Sequence, residues 1–535
     1  MVAFREWETA TTDTEVVWPE PLTLPQRLQR SLRFWSAILP VILRYLLLEA
    51  QYNALGAETL FPLAEREAAW NDLHELGSTV VSTTIGQLRG FYSKSAQLIG
   101  SRPDLFPPAY CEKLAPFQDS APPMDGALLI RVIESELGKP LTEMFSSFDA
   151  EPLGSASVAQ VHRAVLRSTG KTVAVKVQRP AMEPLMLGDI ANLLALSKQF
   201  RGAVAVDYYV VFSELSTQLR NEFNFQHEAE SMVRIADLMD AAPGGPPIRV
   251  PRPVAGLVSK RCMVMDFIDG VPLSRLSDEM QRRGVTAGSP AAKAVGRKLL
   301  RALTDAYGIM LLQEGFIHGD PHPGNIMLCS DGAVALIDFG QTKALDDTLR
   351  RQLSNIMLLL DQCGQDTENG CPAQLDPLAE AALELGVSFK PECTDVVNVA
   401  AALAMWLFDS TVARTLPGGY DSNELSANSP VARVASFPQS LVFVGRSTVL
   451  IRGLANRLKV PWSLAREWAP AARLALATPE ERAAAKAALD AANMKASRER
   501  RAAAMVERLF RWAAALLAAL TGLWARLRGS RPQQA

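Results

Sequence analysis

The sequence predicts an α+β fold of two lobes, with a helical extension before them and a helical tail after them. The chain has 535 residues, more than one hydrophobic core usually holds, so two or more lobes are expected. Residues Glu151–Gln178 alternate apolar and polar side chains and are rich in β-branched types, as in a β-hairpin. Residues 65–137 and 290–314 have helical patterns instead. Strands therefore cluster between two largely helical regions.

Composition excludes several classes of protein. Lys and Arg number 55 against 57 Asp and Glu, so charge gives no support for a nucleic-acid partner. Six scattered cysteines without a C-x-x-C pair predict free thiols in a reducing compartment. The acidic first twenty residues argue against a signal or transit peptide. No uncharged apolar run is long enough to span a bilayer comfortably.

The most informative stretch is Phe316–Lys343, which contains HGDPHPGN and then DFG. Asn325 follows five residues after Asp320, and a predicted strand, Ala333–Ile337, leads into Asp338. Phosphoryl transfer requires metal ions held against the phosphates and a carboxylate near the attacking oxygen. This order and spacing predict Asp320 as the catalytic-loop aspartate, with Asn325 and Asp338 as Mg²⁺ ligands. A zinc site built on His318 and His322 is the weaker alternative, because no further His or Cys lies at ligand spacing.

A nucleotide-binding lobe is predicted upstream. A loop of small residues is followed by strand Ser157–Val165, a turn, and strand Thr172–Val177, which carries Lys176. Lys176 is expected to contact the α- and β-phosphates. Residues Met265–Gly270 are hinge-like, since an apolar strand ends there in an acidic linker with a glycine. The predicted ATP-binding residues are Gly154, Ser155, Ala156, Ser157, Val161, Lys176, Met265, Phe267, Asn325 and Asp338.

Two helices are predicted after the hairpin, Met182–Phe200 and Tyr208–Asp240. A kinase needs a helical glutamate that orients the strand lysine. Glu222 and Glu228 are both candidates from the residues alone, and because they are six residues apart only one of them can serve.

The C-terminal half departs from protein kinases that act on peptides. After DFG the chain enters a predicted helix, Asp346–Asp361, almost at once, with no Ala-Pro-Glu sequence. A protein kinase uses that segment to dock an extended peptide, so its loss argues against a conventional protein substrate. Residues 364–430 are expected to be irregular, and Pro438–Lys459 to be helical.

Two segments have membrane-surface character. Pro25–Glu49 is apolar and helical with interspersed arginines, and it is either an interfacial membrane helix or a helix packed on the domain. The tail from Lys495 is basic, and its apolar run Trp512–Ala525 is too short to span a bilayer. This tail either lies at an anionic membrane surface, or packs on the lobe or in a dimer.

The motifs together resemble the UbiB/ADCK family of atypical kinase-like proteins, the aarF-domain kinases. The resemblance runs from about residue 88 to 340, and more weakly to about 461. It rests on GFYSKSAQ, SRPDLFPPAY, LAPFQD, PLGSASVAQVHRA, VAVKVQRP, EFNFQHEAE, VMDFIDGVPLS, GFIHGDPHPGNIML and ALIDFGQ.

The resemblance implies roles for further residues. Glu228 matches the family's partner of the strand lysine. Lys94 and Gln97 match a K-x-G-Q motif whose helix covers the peptide site, although Ala96 replaces the glycine. Glu222 and Asn224 match an E-x-D motif in which the aspartate is lost. We expect these four motif residues, Lys94, Gln97, Glu222 and Asn224, to be regulatory.

The fold class expected is thus α+β, a bilobal protein kinase-like fold with an N-terminal helical extension and a C-terminal helical tail. The expected domains are a disordered lead (1–24), the extension (25–148), the N-lobe (149–267), the C-lobe (268–462) and an Ala-rich, basic tail (463–535).

The resemblance also implies cofactors, partners and location. These are ATP and Mg²⁺, a membrane lipid or prenylquinone precursor, the membrane surface, lipid-biosynthesis enzymes, and an intracellular, membrane-associated location in a chloroplast or, alternatively, a mitochondrion. The catalytic residues are Asp320, Lys176 and Glu228. The competing functions are an ordinary Ser/Thr protein kinase and an ATP-gated scaffold without phosphate transfer.

Overall fold

A computed structural model describes residues 20–54, 62–100, 107–117, 123–180, 182–199, 208–242, 245–286, 288–363, 375–408, 416–422, 426, 428–478, 480–481 and 484. The fold is α+β and bilobal. The expectations for residues 1–19 and for the apolar run Trp512–Ala525 lie outside these ranges.

The N-lobe is built on an antiparallel sheet. Its strands follow the order β1–β3–β4–β6–β5, and the short β2 pairs with β3. Helix α5 (Gly126–Leu137) covers one face with a buried apolar cluster that includes Ile133 and Val175. The strands are β1 (Phe145–Phe148), β2 (Gly154–Ser155), β3 (Ala159–Leu166), β4 (Thr172–Gln178), β5 (Pro253–Val258) and β6 (Cys262–Asp266). Strand β1 thus pairs into the N-lobe sheet, although it lies within residues 25–148, which are predicted to form the helical extension.

Among the residues described between β4 and β5 there are three helices: α7 (Met182–Gln199), α8 (Tyr208–Glu222) and α9 (Phe225–Asp240). The prediction of one continuous helix over Tyr208–Asp240 is therefore wrong. The chain breaks at Phe223 and Asn224 because Phe223 is buried in the turn and Asn224 caps the next helix with its side chain.

The N-terminal extension is helical, with α1 (Leu24–Ala54), α2 (Leu63–Leu88), α3 (Phe91–Gly100) and α4 (Pro108–Leu114), and the four-residue helix α6 (Leu141–Met144) precedes β1. Among the described residues, one helix is long and apolar enough to cross a membrane by length and composition, over Leu24–Tyr52. This helix contains the segment Pro25–Glu49, which the sequence predicts to be helical and apolar. It is not among the uncharged apolar runs because it carries arginines.

The C-lobe holds the largest core and begins with short strands around the catalytic segment. Strands β7 (Gly270–Pro272), β9 (Ile326–Cys329) and β10 (Val334–Leu336) form one sheet, and β8 (Phe316–His318) pairs with β11 (Thr342–Ala344). The helices are α10 (Leu276–Arg282), α11 (Pro290–Gly308, continued by a π-helical turn Ile309–Glu314), α12 (Asp347–Cys363), α13 (Leu375–Glu384), α14 (Val396–Phe408), α15 (Gln439–Leu458) and α16 (Leu464–Leu476).

The expectation that residues 364–430 are irregular is wrong over much of its length. It contains α13 and α14, together with β12 (Ser388–Phe389), which pairs with β13 (Val434–Ser436). Helix α14 is buried on nearly every side, so it lacks the one-sided apolar pattern by which a surface helix is recognised.

Two further features differ from the sequence analysis. Helix α16, in the segment assigned to the tail, packs Trp468 and Leu464 into the main C-lobe core. Cys363 is disulfide-bonded, whereas Cys111, Cys262, Cys329 and Cys393 form no disulfide. The prediction of free thiols throughout is therefore wrong at Cys363.

Candidate active site

Lys176 and Glu228 form a buried ion pair between the N-lobe sheet and α9. Strand β4 places Lys176 between Val161 of β3 and Met263 of β6. Its Nζ lies 2.7 Å from Glu228 Oε1 and 2.9 Å from Oε2. The side chains are 12% and 2% exposed. A bidentate, water-excluded pair of this kind fixes the ammonium group at one point of the cleft.

Glu222, the alternative partner of the lysine, is engaged elsewhere. Its Oε1 accepts a hydrogen bond of 2.9 Å from Gln341 Nε2, just after the DFG sequence. The break between α8 and α9 changes the direction of the chain after Glu222, and Glu228 is then the residue that reaches Lys176.

Asn224 has a structural role at the start of α9. Its Oδ1 accepts hydrogen bonds from the backbone N–H groups of Gln226 and His227, and its carbonyl accepts from the N–H of Glu228. Asparagine and aspartate are both strong N-cap residues. The loss of the family's aspartate therefore leaves the helix that carries Glu228 properly capped.

Asp338 completes the charged cluster. Its Oδ1 lies 3.3 Å from Lys176 Nζ and 3.3 Å from the backbone N of Gly340, and its side chain is 50% exposed to the cleft. Burial raises the pKa of Asp338, but Lys176 and the Gly340 N–H outweigh it and lower the pKa overall. Burial likewise lowers the pKa of Lys176, and the charges of Asp338 and Glu228 outweigh it and raise the pKa. Both groups are therefore ionised.

The backbone of Asp338 is held in an unusual conformation. Its φ is +63°, in the left-handed region that non-glycine residues rarely adopt. The carbonyl of Asp338 accepts a hydrogen bond of 2.7 Å from Nε2 of the buried His318, whose Nδ1 lies 3.3 Å from the hydroxyl of Tyr307. Burial lowers the pKa of His318, so the imidazole is neutral and donates from Nε2. His318 thus positions Asp338, and it does not serve the zinc site considered above.

The catalytic loop orients Asn325 against Asp320. Asn325 Nδ2 donates to the Asp320 carbonyl at 3.1 Å and to Oδ2 at 3.3 Å. The N–H of Ile337 donates to the Asn325 carbonyl, which places Asn325 beside the residue that precedes Asp338. With the amide nitrogen committed to Asp320, Asn325 Oδ1 is the atom left to bind a cation.

This donor set fits Mg²⁺. The cation prefers oxygen ligands and commonly uses one or two protein ligands, completing its shell with water and phosphate oxygens. Asp338 and Asn325 supply two such oxygens. Glu228 and Asp338 both lie against Lys176, so the charge of this ammonium is already matched, and a divalent cation would supply further positive charge for a triphosphate.

The predicted phosphate loop is a short strand turn held by an arginine. Gly154 pairs with Val161 and Ser155 with Gln160. Arg179, which follows β4, donates from Nε to the Ala156 carbonyl and from Nη2 to Ser155 Oγ. Sequence reasoning did not single out Arg179. Arg179 lies in the VQRP segment directly after Lys176. Its closeness to the predicted phosphate-binding lysine is the sequence feature by which it could have been recognised.

The loop also contains Ala156 and Ser157. The N–H of Ala156 donates to the Ala159 carbonyl, so Ser157 sits at the tip of a tight turn between β2 and β3.

The predicted hinge joins the two lobes at the end of β6. Met265 pairs with Ala174 of β4. The ring of Phe267 lies under the guanidinium of Arg163, 5.2 Å from its centroid, so the ring is engaged with β3.

Lys94 and Gln97 lie on α3, but the structure does not describe their side chains. Their predicted regulatory role stays a prediction. The helix itself is docked on the N-lobe, because Phe91 packs with Met186, Ile190, Leu219 and Phe223.

Arg446 is a second residue that sequence reasoning missed. It lies on α15, is exposed, and its Nη1 donates to the carbonyl of Gly319 at 3.4 Å, directly before Asp320. The sequence separation of 127 residues left no local signal for this contact. It brings a cation to the side of the catalytic loop.

Comparison with known proteins agrees with this geometry. The model of the ABC1 atypical kinase-like domain matches residues 116–368. The protein slr0889 of Synechocystis sp. is 32% identical over 292 residues, which cover 52% of this chain and 69% of that protein. The chain belongs to the ABC1 atypical kinase-like family.

Plant members of the ABC1 family are also similar. The chloroplastic protein ACTIVITY OF BC1 COMPLEX KINASE 1 of Arabidopsis thaliana is 33% identical over 323 residues, 59% of this chain and 43% of that protein. The chloroplastic aarF domain-containing protein kinase At1g71810 of the same plant is 34% identical over 256 residues, 46% of this chain and 33% of that protein. The chain thus spans less than half the length of these plant relatives.

A solved structure overlaps this ABC1 chain more loosely. The complex of Rv3197 with erythromycin from Mycobacterium tuberculosis is 23% identical, with a TM-score of 0.48 over 77% of this chain and 98% of that one.

Proposed function

We propose that the chain is an ATP-binding, Mg²⁺-dependent atypical kinase or ATPase that acts on, or regulates, membrane isoprenoid-quinone or lipid metabolism. The observation that carries the nucleotide part is the position of Lys176, whose ammonium lies 2.7 Å from Glu228 and 3.3 Å from Asp338. Phosphoryl-transfer enzymes of the kinase type require this lysine–glutamate pair beside the metal-binding aspartate.

Each residue has a distinct role in this proposal. Lys176, held by Glu228, binds the α- and β-phosphate oxygens. Asn325 and Asp338 would hold Mg²⁺, which neutralises phosphate charge when bound. Asp320 accepts the proton of the attacking hydroxyl or water, with Asn325 Nδ2 keeping its carboxylate oriented. His318 and Tyr307 keep Asp338 in its left-handed conformation.

The acceptor is proposed to be a small hydroxylic molecule or water and not an extended peptide. After Gly340 the chain forms β11, which pairs with β8, and α12 begins at Asp347. This tight return leaves no long activation segment between the DFG sequence and α12. An ordinary Ser/Thr protein kinase is therefore the less supported alternative.

A membrane setting and a plastid location are proposed on separate grounds. The plant relatives are chloroplastic by name, which supports the chloroplast over the mitochondrion. The exposed apolar α1 supports a membrane surface. A lipid-type acceptor and contact with lipid-biosynthesis enzymes are proposed with it, because such molecules lie at membranes.

The proposal is tested by ATP turnover of the full-length protein with Mg²⁺, with EDTA, and with a prenylated or lipid-like alcohol. Asp320→Asn should reduce turnover by about 10³-fold or more, in the range that loss of a catalytic acid–base group produces. Asp278→Asn is the matched control, because Asp278 is an exposed carboxylate on α10.

The outcomes separate the alternatives. Tight ATP binding with no turnover under any condition would favour the scaffold. Rapid phosphorylation of a generic Ser/Thr peptide would favour the protein kinase. Turnover that is unchanged in Asp320→Asn would contradict the role of this residue.

A further inference from the structure

The outer side of α1 carries a stripe of exposed apolar side chains. Eight of the sixteen exposed large hydrophobic side chains in the described part of the chain lie on this one helix. Leu32 is 70% exposed and Leu47 is 69% exposed. Soluble proteins rarely expose contiguous apolar patches of this extent without an occupant. The stripe is formed by residues at helical spacing, chiefly Leu28, Leu32, Leu39, Leu43, Leu46 and Leu47.

The inner side of α1 is bound to the protein along most of its length. Near its start, Arg30 forms a buried ion pair with Asp189 of α7 at 2.8 Å. In the middle, Val41 is 6% exposed, and towards the end the Tyr45 hydroxyl lies 2.7 Å from His74 Nδ1 of α2. A helix that crosses a bilayer would have to give up these contacts. The geometry therefore leaves only the outer side of α1 for an apolar environment.

The charged residues of α1 indicate which kind of surface its apolar face would contact. Helix α1 carries four arginines and one acidic residue, Glu49, which lies beyond the last leucine of the stripe. Arg27 and Arg30 turn inward, to Asn192 and Asp189, whereas Arg33 and Arg44 are exposed beside the apolar stripe. Two exposed arginines that flank an apolar face, on a helix with a single acidic residue near its end, complement anionic headgroups.

From these three observations we infer that α1 is an interfacial helix, which lies parallel to an anionic membrane with its outer leucines among the acyl chains. The helix that length and composition alone would assign to a membrane span is instead a flat attachment surface. The inference rests on the membrane setting proposed above and specifies which surface makes the contact. Because Asp189 also accepts from the N–H of Phe91 at the start of α3, the attached surface is joined directly to the helix that carries Lys94 and Gln97.

The test is flotation of the full-length protein with vesicles of phosphatidylcholine and phosphatidylglycerol, without nucleotide. The wild type should float, and the double variant Leu32→Glu/Leu43→Glu should partition at least about tenfold more weakly, because two charges enter the apolar face. The control, Val233→Glu/Val449→Glu, places the same charges at exposed valines of α9 and α15 and should float like the wild type. All three proteins should have equal circular dichroism and equal ATP turnover in solution.

Other occupants give other results. Unchanged flotation of the α1 variant, with loss of a dimer by light scattering, would assign the face to a second copy and overturn the inference. Loss of flotation only in Leu516→Glu/Leu520→Glu would assign the contact to the tail, with the same consequence. Resistance of the bound wild type to alkaline carbonate would indicate a spanning helix and also overturn it. Flotation needs no catalysis, so failure here is distinguishable from failure of the proposed ATPase.

Discussion

Lys176 on β4 and Glu228 on α9 are 52 residues apart in the sequence, and their side chains meet with 2.7 Å between Nζ and Oε1. Glu228 Oε1 also accepts from the N–H of Phe339, at 3.3 Å. One carboxylate thus joins the N-lobe sheet, α9 and the DFG sequence. The position of α9 therefore determines where the ammonium group of Lys176 lies relative to Asp338.

Glu228→Gln should weaken ATP binding by about 10- to 100-fold, since a hydrogen bond to a charged group contributes about 1.5–3 kcal/mol. Titration calorimetry with Mg²⁺ and ATP measures this directly. Glu222→Gln is the matched control, because it removes the same charge from a residue that faces Gln341. A larger effect in the control than in Glu228→Gln would show that the pairing is assigned to the wrong glutamate.

Asn224 provides a prediction about stability. Asn224→Ala should lower the free energy of unfolding by about 1 kcal/mol, because two backbone N–H groups lose their cap. Asn224→Asp should keep or slightly increase stability, since a negative charge at a helix N-terminus contributes about 0.3–1 kcal/mol. Thermal unfolding of the three proteins tests the order. An equal loss of stability in Asn224→Ala and Asn224→Asp would mean that the Asn224 side chain has a role other than capping α9.

Gly90 provides a prediction about the joint between α2 and α3. Its φ is +63°, and a Cβ there would lie 2.7 Å from Asp189 Oδ2 and 3.1 Å from Arg30 Nη2. Gly90→Ala should destabilise the protein by about 1–3 kcal/mol, through backbone strain and displacement of the ion pair. Gly170→Ala is the control, because Gly170 also has a positive φ but has nothing within 4 Å of the added atom. A melting-temperature loss in Gly90→Ala no larger than in Gly170→Ala would exclude the close approach as the cause.

The Arg30–Asp189 pair provides a prediction about pH. Burial raises the pKa of Asp189, and this effect outweighs the opposing effect of Arg30. A carboxyl with a raised pKa in the folded state costs stability when it is ionised, and the cost disappears as pH falls below that pKa. Arg30→Gln removes the partner, so the pKa of Asp189 should rise further.

Arg30→Gln should therefore have a lower melting temperature than the wild type. The difference in melting temperature should be largest at about pH 8 and should become smaller towards about pH 5. Asp189→Asn combined with Arg30→Gln should show no such pH dependence. If the melting-temperature difference between Arg30→Gln and the wild type were the same at every pH, an unpaired Asp189 carboxylate could not be the cause of the destabilisation.

Much of the site follows from local sequence, because its residues lie in short segments. Asp320, Asn325 and Asp338 fall within nineteen consecutive positions, and strand pairing between β9 and β10 brings them together. The choice between Glu222 and Glu228 could not be made from spacing alone. It depends on the break at Phe223, which is caused by burial of that side chain and by the cap that follows.

Contacts between residues far apart in the sequence could not be predicted from local sequence patterns. Arg446 reaches Gly319 only because α15 packs beside the catalytic loop, and nothing near either residue indicates that packing. The buried helix α14 was missed for a related reason, since a helix apolar on every side has no periodic pattern to detect. Helix α1 is the opposite case. Its apolar composition is recognisable from the sequence, but composition does not show that its inner face is packed against α2 and α7.

The most direct test of the central claim is Mg²⁺-dependent ATP hydrolysis by the wild type and by Asp338→Asn, with Asp278→Asn measured in parallel. The account predicts that hydrolysis by the wild type and the control requires Mg²⁺, and that Asp338→Asn loses about 10²-fold or more of it at every Mg²⁺ concentration. Full activity of Asp338→Asn, or activity that is unaffected by EDTA, would contradict the assignment of this cluster as a metal–nucleotide site.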